Sequence, residues 1–229
     1  MQLSQSTIDC IAGVCVGLNQ ALIGHPFDTI KTLLQTNQHW YGRPLTFYYR
    51  GVMYPLMAGV GFNALSFGVY EDVYRRWQNA WFAGGISGLS VVPLVGISEG
   101  AKIARQTGLK LTSQVVIRGI PVTLLRESTA MTVYFGTYAH LKDVRGYSPY
   151  CAGALCGLAA WTISYPFDVI RSRQVALNMN FFQAYNMGNM WRGYHMCAIR
   201  AVLVNATNFS VYERVKANLG VESDRQPAN

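Results

Sequence analysis

Three acidic residues each stand three positions before a basic residue, a spacing that can form ion pairs. The pairs are Asp28/Lys31, Glu99/Lys102 and Asp168/Arg171. Each lies near the end of a long, mostly apolar segment. An unpaired charge in hydrocarbon costs about 2.5 kcal/mol or more, so charges at these positions need partners. The pattern therefore indicates the ionic part of a gate in a membrane protein.

The residues just before these acids suggest bends in the helices that carry them. Pro26 and Pro166 stand two residues before their acids. Proline removes a backbone donor and bends a helix. The second copy has Ile97 at this position, with Pro93 one turn earlier.

The chain repeats one unit three times. An AGxxxG motif occurs at Gly13, Gly84 and Gly153, and the acid of the charged motif follows each of these glycines after fifteen residues. An Arg-Gly pair then marks the start of a second segment in each unit, at Gly51, Gly119 and Gly193. Motifs of the small-xxx-small type allow two membrane helices to approach closely. The repeats predict one membrane domain over 1–229, made of units 1–78, 79–146 and 147–220 with a polar tail at 221–229.

Each unit is expected to contain two helices. The predicted first helices are 6–36, 80–107 and 148–176, and the predicted second helices are 51–77, 119–143 and 193–218. At about 1.5 Å per residue, these lengths exceed a hydrocarbon core of about 30 Å, so tilted or kinked helices are expected.

The composition is that of a membrane protein. Of 229 residues, 51% are hydrophobic and 13% are charged, against about 25% charged in soluble domains. The net charge of +8 fits basic loops near a membrane better than nucleic-acid binding. The five cysteines lack the paired spacing of a metal site. We therefore expect them to serve as small, buried residues. The first nine residues resemble neither a secretory signal nor an Arg-rich presequence, so targeting is expected to be internal.

These motifs together resemble the mitochondrial carrier family, whose repeats carry P-x-[DE]-x-x-[KR]. The resemblance covers nearly the whole chain. It implies an all-α membrane protein with six transmembrane helices in three tandem two-helix repeats, forming a pseudo-threefold barrel. It further implies a monomeric, multi-pass protein of the inner mitochondrial membrane that alternates between two faces. The implied partners are a small-molecule substrate and membrane lipid, with cardiolipin as the candidate, and no cofactor is expected.

The chain departs from the family pattern in its connections and around its motifs. It is short, and the shortening falls where the family has one surface helix per repeat. Gln35 and Gln106 match the glutamine that follows the motif, whereas the third copy has Val175 with Gln174 one position early. A second basic residue, common in the family, is kept only at Arg173.

The resemblance predicts a matrix gate built from ion pairs between helices. The expected pairs are Asp28–Lys102, Glu99–Arg171 and Asp168–Lys31, with Gln35 and Gln106 as accompanying residues. The alternative is local pairing within each helix, which stabilises by only about 0.2–0.5 kcal/mol. A ring between helices suits a switch, because its ionic gain nearly cancels its desolvation cost.

The predicted cytoplasmic gate is less complete. The family's [FY]-[DE]-x-x-[KR] motif is whole only at Tyr212 to Lys216, which includes Glu213. It is partial around Glu71 and Tyr74, and around Lys142. The expected contacts are Glu71–Lys142 and Tyr74–Glu213. A weak gate here predicts a resting state that is open to the cytoplasm.

An asymmetric substrate needs residues at which the three repeats differ. Arg126 and Arg200 each lie seven residues after an Arg-Gly glycine, where the first repeat has Ala58, and Glu127 follows Arg126. Seven residues of helix span about 10 Å, so these charges should face a polar cavity. The alternative is a structural Arg–Glu pair.

Two further residues break the repeat symmetry, Trp161 and His25. Considered alone, Trp161 would be interpreted as packing against lipid, and His25 as a hydrogen-bonded helix histidine. Together with the arginines and Glu127 they form a candidate substrate site. The arginines suit a carboxylate, and the glutamate and indole suit a cation.

The segments TLLRE, RAVLVNA, GHPFDTIK and WTISYPFDVIRSR resemble the carnitine/acylcarnitine and ornithine/basic amino-acid carriers. That resemblance implies substrate contacts for Arg126, Glu127, Arg200, Trp161 and His25. The acid that ornithine-type members place on the second helix corresponds to Phe62 here, which argues against a dibasic amino acid. The first substrate prediction is carnitine or acylcarnitine, exchanged across the membrane, and the alternative is a basic or other amino acid. A non-transporting scaffold is a distant alternative, and the residues contain no pattern typical of an enzyme.

Overall fold

The computed structural model describes residues 5–109, 112–144 and 149–218, which are helical apart from short turns, with no strand among them. The helices are α1 (Gln5–Gln35), α2 (Leu45–Tyr48), α3 (Met53–Trp77), α4 (Ala80–Ser90), α5 (Val92–Thr107), α6 (Ser113–Ala139), α7 (Pro149–Leu177), α8 (Phe181–Asn186) and α9 (Tyr194–Asn218), with a π-helical turn at His140–Val144. The predicted all-α class is confirmed for these residues. The side chain of Glu213, that of Lys216 and the tail 221–229 lie outside the described part of the chain.

The helix predicted over 80–107 is two helices, because the chain bends by 53° between α4 and α5. Pro93 lies at the start of α5, where a missing backbone donor costs nothing and the fixed φ favours helix formation. By contrast, Pro26 and Pro166 lie inside the continuous helices α1 and α7. The Leu22 carbonyl, which Pro26 cannot bond, accepts a hydrogen bond from Tyr49 Oη at 2.8 Å. In the second unit, the bend therefore lies between α4 and α5, before the charged motif Glu99/Lys102.

Short helices remain in two of the three shortened connections. Helix α2 lies between α1 and α3, and α8 lies between α7 and α9. A capping box at Asn180 and Gln183 fixes the start of α8. In the second unit, only residues 108–112 separate α5 from α6. The connections of the first and third units thus keep one short helix each, of four and six residues.

Within the described residues, two stretches are long and apolar enough to cross a membrane alone, Leu45–Trp77 and Ala152–Leu177. The bent pair α4–α5 would make a third span if it crosses as one unit. Buried polar and charged residues, such as Lys31 in α1 and Arg126 in α6, lower the hydropathy of those two helices. The arrangement of six spans stays a prediction.

The long helices pack against one another in a series that begins with α3 and ends with α1. Helix α3 packs on α4 and α5, both of these pack on α6, and α6 packs on α7. Helix α7 meets α9 where the Tyr165 and Tyr194 rings lie 5.0 Å apart, edge to face. Helix α9 in turn packs along α1. The carboxyl-terminal halves of α1, α5 and α7 come together, and three of the six charged motif residues are buried there, namely Lys31, Asp168 and Arg171.

Two glycines bring α4 unusually close to α6. A Cβ at Gly84 would lie 2.5 Å from the Met131 carbonyl oxygen, and a Cβ at Gly88 would collide with the Glu127 carbonyl. In the matching motifs, Gly17 of α1 and Gly153 of α7 have nothing within 4 Å of an added Cβ. Among the motif glycines that the structure describes, only those of the second unit bring two helices into close contact.

Replacing Gly88 with Ala should lower the thermal unfolding midpoint in detergent, because α4 must move away from α6. Overpacking of this kind costs about 1–3 kcal/mol. Gly17→Ala is the matched control. The added Cβ at position 17 would contact no other atom. Because the substitution also removes the cost of a glycine within a helix, about 0.5–1 kcal/mol, the unfolding midpoint of this variant should stay level or rise. Equal midpoints for the two variants would show that the α4–α6 contact does not limit stability.

Candidate functional site

Three ion pairs join α1, α5 and α7 into a ring. Lys31 Nζ lies 2.7 Å from Asp168 Oδ2, Lys102 Nζ lies 3.0 Å from Asp28 Oδ2, and Arg171 Nη1 lies 2.6 Å from Glu99 Oε2. Each acid thus meets the base of a different helix rather than the base three residues along its own. These are the pairings expected from the family pattern, and the local alternative is not what the structure contains.

The two matching glutamines make different contacts. Gln35 donates from Nε2 to Asp168 Oδ2 at 2.9 Å and to Tyr165 Oη at 3.2 Å. It therefore supports the Lys31–Asp168 pair directly. Gln106 donates to Thr29 Oγ1 at 2.9 Å and so links α5 to α1 beside the ring.

Arg171 is held on several sides as well as by Glu99. Its Nε donates to Thr123 Oγ1 at 2.5 Å, and its Nη2 donates to the Gly96 carbonyl at 3.2 Å. Its side chain is 2% exposed. A buried guanidinium needs such a full set of acceptors, because each donor left without a partner is costly.

Arg126 of α6 adds a further cation to the ring. Its Nη1 lies 2.8 Å from Asp168 Oδ1 and its Nη2 lies 2.8 Å from Glu99 Oε2. Nη2 also pairs with the neighbouring Glu127. The side chains of Arg126 and Glu127 are 8% and 7% exposed. Arg126 thus connects two of the three ion pairs.

Arg200 of α9 approaches the remaining pair. Its Nε lies 3.0 Å from Asp28 Oδ1, in an ion pair without hydrogen-bond geometry. Gly24 makes room for it, since a Cβ there would lie 2.9 Å from Arg200 Nε. Asp28 therefore faces two cations, Lys102 and Arg200.

A cavity of about 180 Å³ lies on the ring. Its lining combines the ring charges Asp28, Lys31, Glu99, Lys102 and Asp168 with Thr32, Gln35, Pro55, Ile103, Trp161, Ser172 and Arg200. This is small beside the roughly 300–1,000 Å³ of drug-sized ligand sites. It suits a compact, charged molecule.

The five residues predicted to contact a substrate fall into three groups. Arg200 and Trp161 line the cavity, whereas Arg126 and Glu127 are buried beside it. The Trp161 ring already receives the Lys31 ammonium, 5.0 Å from its centroid, in a cation–π contact. His25 is not among the residues that line the cavity.

His25 is buried against the segment that precedes α3. Its Nε2 is 3.0 Å from the Arg50 carbonyl, and its ring stacks with Tyr49. One turn later, Thr29 donates to the Tyr48 carbonyl at 2.7 Å. The side chain of His25 thus holds α1 to the α2 region, and its contact with a substrate stays a prediction.

The predicted contacts of the cytoplasmic gate are not formed where the structure describes them. Glu71 pairs with Arg75 on its own helix, at 3.6 Å in an exposed position, rather than with Lys142. Lys142 is exposed in the π-helical turn. Tyr74 stacks on Tyr70, with ring centroids 5.6 Å apart. The expected Tyr74–Glu213 contact involves a side chain outside the described residues.

Aromatic rings join α3 and α6 in this region. Tyr70 stacks on Phe135 with centroids 3.8 Å apart, and Phe67 meets Phe135 edge to face at 5.6 Å. Aromatic pairs contribute about 0.5–1.5 kcal/mol beyond their buried area. The contact between these two helices is thus largely apolar.

Sequence reasoning missed two residues that hold the ring in place, Thr123 and Tyr165. Thr123 accepts from Arg171. Tyr165 accepts from Gln35 and donates to the Arg192 carbonyl at 3.1 Å. Their positions inside the TLLRE and SYPFD segments were the available signal. Repeat comparison alone gave no reason to prefer them over their neighbours.

The sequence is similar to several characterised proteins, although no protein-family model matches it. The mitochondrial basic amino acids transporter of Bos taurus is 31% identical over 218 residues, covering 72% of each chain. The glutamate/glycine mitochondrial carrier ymc1 of Schizosaccharomyces pombe is 28% identical over 287 residues, covering 95% of this chain and 96% of the relative. The mitochondrial glycine transporter YMC1 of Saccharomyces cerevisiae is 26% identical over 284 residues. These aligned lengths exceed the 229 residues of this chain, so the two yeast relatives contain segments that it lacks.

Proposed function

The chain belongs to the mitochondrial carrier family, and on that premise we propose that it carries an amino acid across the inner mitochondrial membrane. As a member, it is a multi-pass solute transporter of that membrane and not an enzyme. The observation that carries the proposal is the charge pattern of the cavity. Arg200 offers a cation to a carboxylate, and Asp28 and Glu99, which line the same cavity, offer acids to an ammonium group.

We propose that α1, α3, the bent pair α4–α5, α6, α7 and α9 are six spans of a pseudo-threefold barrel. The three sequence repeats and the ring of ion pairs between their first helices support this arrangement. In it, the ring closes the matrix side and the cavity opens towards the cytoplasm. Transport then requires the ring to break and reform. The working unit is a monomer in contact with membrane lipid, cardiolipin included.

An amino acid fits the observations better than carnitine. The relatives described above are named for basic amino acids, glycine and glutamate, and none of them for carnitine. The small cavity has no apolar extension suited to an acyl chain among its lining residues. Phe62, in place of a second-helix acid, disfavours a dibasic substrate. We therefore infer a small zwitterionic or acidic amino acid.

Counter-exchange in reconstituted liposomes tests this assignment. Vesicles loaded with glycine, glutamate, arginine, ornithine or carnitine are compared for uptake of each labelled compound. We expect exchange of glycine or glutamate to exceed that of carnitine and of the dibasic amino acids. Exchange of carnitine alone would refute the assignment. Absence of exchange and of ligand-induced thermal stabilisation with every compound would favour a non-transporting scaffold.

A further inference from the structure

We propose that three polar contacts between successive repeats are pivot points of the transport cycle, which stay closed while the ring of ion pairs opens. The inference rests on the proposed transport function. The contacts are those of Ser66 with Ser87, Tyr134 with Cys156, and Asn208 with Asn19. None of these six residues belongs to the ring or to the lining of the cavity. They are positioning residues, which act on transport by keeping the repeats joined and not by touching the transported molecule.

The three contacts occupy matching places in the repeats. Ser66, Tyr134 and Asn208 each lie fifteen residues after the glycine of an Arg-Gly pair. Ser87 and Cys156 each lie three residues after the first glycine of an AGxxxG motif. Each contact therefore joins the last long helix of one repeat to the first helix of the next, which pairs α3 with α4, α6 with α7 and α9 with α1.

The contact between α9 and α1 departs from this symmetry by about one helical turn. In α1, Val16 stands at the position that a serine or a cysteine holds in the other repeats, and its side chain cannot form a hydrogen bond. Asn19, on the next turn, supplies the polar group instead. Its Nδ2 donates to Asn208 Oδ1 at 2.8 Å and to Thr207 Oγ1 at 2.9 Å. A polar contact is thus present at this junction although the matching residue is apolar.

The contact between Ser66 and Ser87 fixes the position of α3 along α4. Ser87 Oγ donates to the Ser66 carbonyl at 2.7 Å and lies 3.2 Å from Ser66 Oγ. The two residues are 2% and 0% exposed. Sliding of one helix along the other would leave these buried polar atoms without partners, at a cost of about 1–3 kcal/mol for each. Because only one residue of each helix is held, the contact resists sliding but allows the helices to tilt about it.

The repeats need such contacts when the ring opens. In the described residues, the repeats meet through the ring between α1, α5 and α7 and through the helix pairs that carry the polar contacts. When the ring breaks, these helix pairs hold the three repeats together. The polar residues of the first helices precede the ring acids by nine or twelve positions, which is about 14–18 Å of helix. A fixed point at that distance lets the ring ends of the helices separate while their other ends approach.

A disulfide between α3 and α4 tests whether their contact stays closed. Ser66→Cys and Ser87→Cys are introduced together into a chain whose five native cysteines are replaced with serine. Cys156→Ser keeps a hydroxyl group for Tyr134. The two sulfurs must come only slightly closer than the two oxygens are, since an S–S bond is about 2.05 Å long. The oxidised protein is reconstituted in liposomes, the fraction that stays unlinked is measured by thiol labelling, and uptake of the amino acid that the wild type exchanges best is compared before and after reduction.

We expect the uptake rate of the linked carrier to stay within about twofold of the rate after reduction, because a pivot point does not separate during the conformational step. An uptake rate no higher than the unlinked fraction explains, and restored by reduction, would overturn the proposal, since the contact would then have to open in every cycle. The two single-cysteine variants, oxidised in the same way, are the matched controls. They cannot form the link, so their uptake should not change on reduction.

Labelling of a buried thiol distinguishes failure of this inference from failure of the transport assignment. If the wild type exchanges none of the amino acids tested, the assignment fails, and opening of the ring is followed instead at Gln106→Cys, a position beside the ring that is 0% exposed. Its labelling rate in the linked chain should stay within about threefold of the rate in the same chain with Ser66 and Ser87 intact, because local opening of the ring leaves the pivot closed. Labelling slowed by more than that would overturn the proposal.

Discussion

Replacing Asp168 with Asn should abolish transport and lower the free energy of unfolding by about 3–5 kcal/mol. Asp168 binds Lys31 at 2.7 Å, Arg126 at 2.8 Å and Gln35 at 2.9 Å, and its side chain is 9% exposed. The substitution leaves two buried cations without this counter-ion. Removing one member of a buried pair costs that much because the remaining charge is uncompensated. Unfolding in detergent and uptake into liposomes measure the two effects.

Two controls make the Asp168 prediction specific. Asp72→Asn removes an acid from an exposed pair with Arg76 on one helix, at 2.9 Å, and should change stability by less than about 0.5 kcal/mol. Adding Lys31→Gln to Asp168→Asn removes both charges of one pair. The double variant should therefore regain part of the lost stability without regaining transport. If Asp168→Asn unfolds like Asp72→Asn, the ring does not stabilise this conformation.

The pairing of the ring could be predicted from the sequence because three constraints act on it together. The acid and base recur at one spacing, in three related units, near the ends of long apolar segments. Charges at such positions must find partners, and three similar helices offer them in cyclic order. The threefold repeat favours pairing between α1, α5 and α7, but the particular partner of each acid was what the resemblance to the carrier family implied.

The direction of single side chains could not be predicted in the same way. Counting residues from Gly119 and Gly193 placed Arg126 and Arg200 at the same depth, and both lie at the ring. The position of an arginine along its helix does not determine which acids its guanidinium contacts. Glu127 and the acids of α5 and α7 surround Arg126, whereas Arg200 reaches only Asp28 among the described acids.

His25 and Glu71 show how local partners override a pattern. His25 has an acceptor nearby in the Arg50 carbonyl, and Glu71 has a base one helical turn away in Arg75. A contact within a helix or to a neighbouring loop is available without bringing distant helices together. The alternative given for His25, a hydrogen-bonded helix histidine, describes the contact that it makes, whereas the pairing of Glu71 with Arg75 was not considered.

Replacing Arg173 with Met should lower the free energy of unfolding by about 3–5 kcal/mol, although Arg173 has no acid partner in the described structure. The side chain is 1% exposed, and it donates to four backbone carbonyls. Its Nε bonds the carbonyl of Gln35 at 3.0 Å, and its terminal nitrogens bond those of Ala184, Gly188 and Asn189 at 3.0, 2.8 and 3.3 Å. Buried acceptors without a donor cost about 1–3 kcal/mol each, and part of that cost is relieved when water enters.

The position of these carbonyls explains why a cation is buried here without an acid. Gln35 ends α1, and Ala184 lies in the last turn of α8. The carboxyl-terminal end of a helix carries partial negative charge, which a guanidinium stabilises. Arg173 thereby joins the end of α1 to α8 and holds Gln35, whose amide supports Asp168. We expect Arg173→Met to weaken transport as well as stability.

Arg118→Met is the matched control for Arg173→Met, since Arg118 donates to the Asn178 carbonyl and side chain, both at 2.9 Å, from an exposed position. Surface substitutions of this kind usually change stability by less than about 0.5 kcal/mol. Arg173→Lys should fall between the two, because one ammonium cannot reach carbonyls on two helices together. Limited proteolysis of the segment from α8 to α9 gives an independent measurement: cleavage should be faster in Arg173→Met than in Arg118→Met. Equal cleavage rates and equal unfolding would show that α8 is held by its apolar contacts with α7, such as those of Phe181, and not by the buried guanidinium.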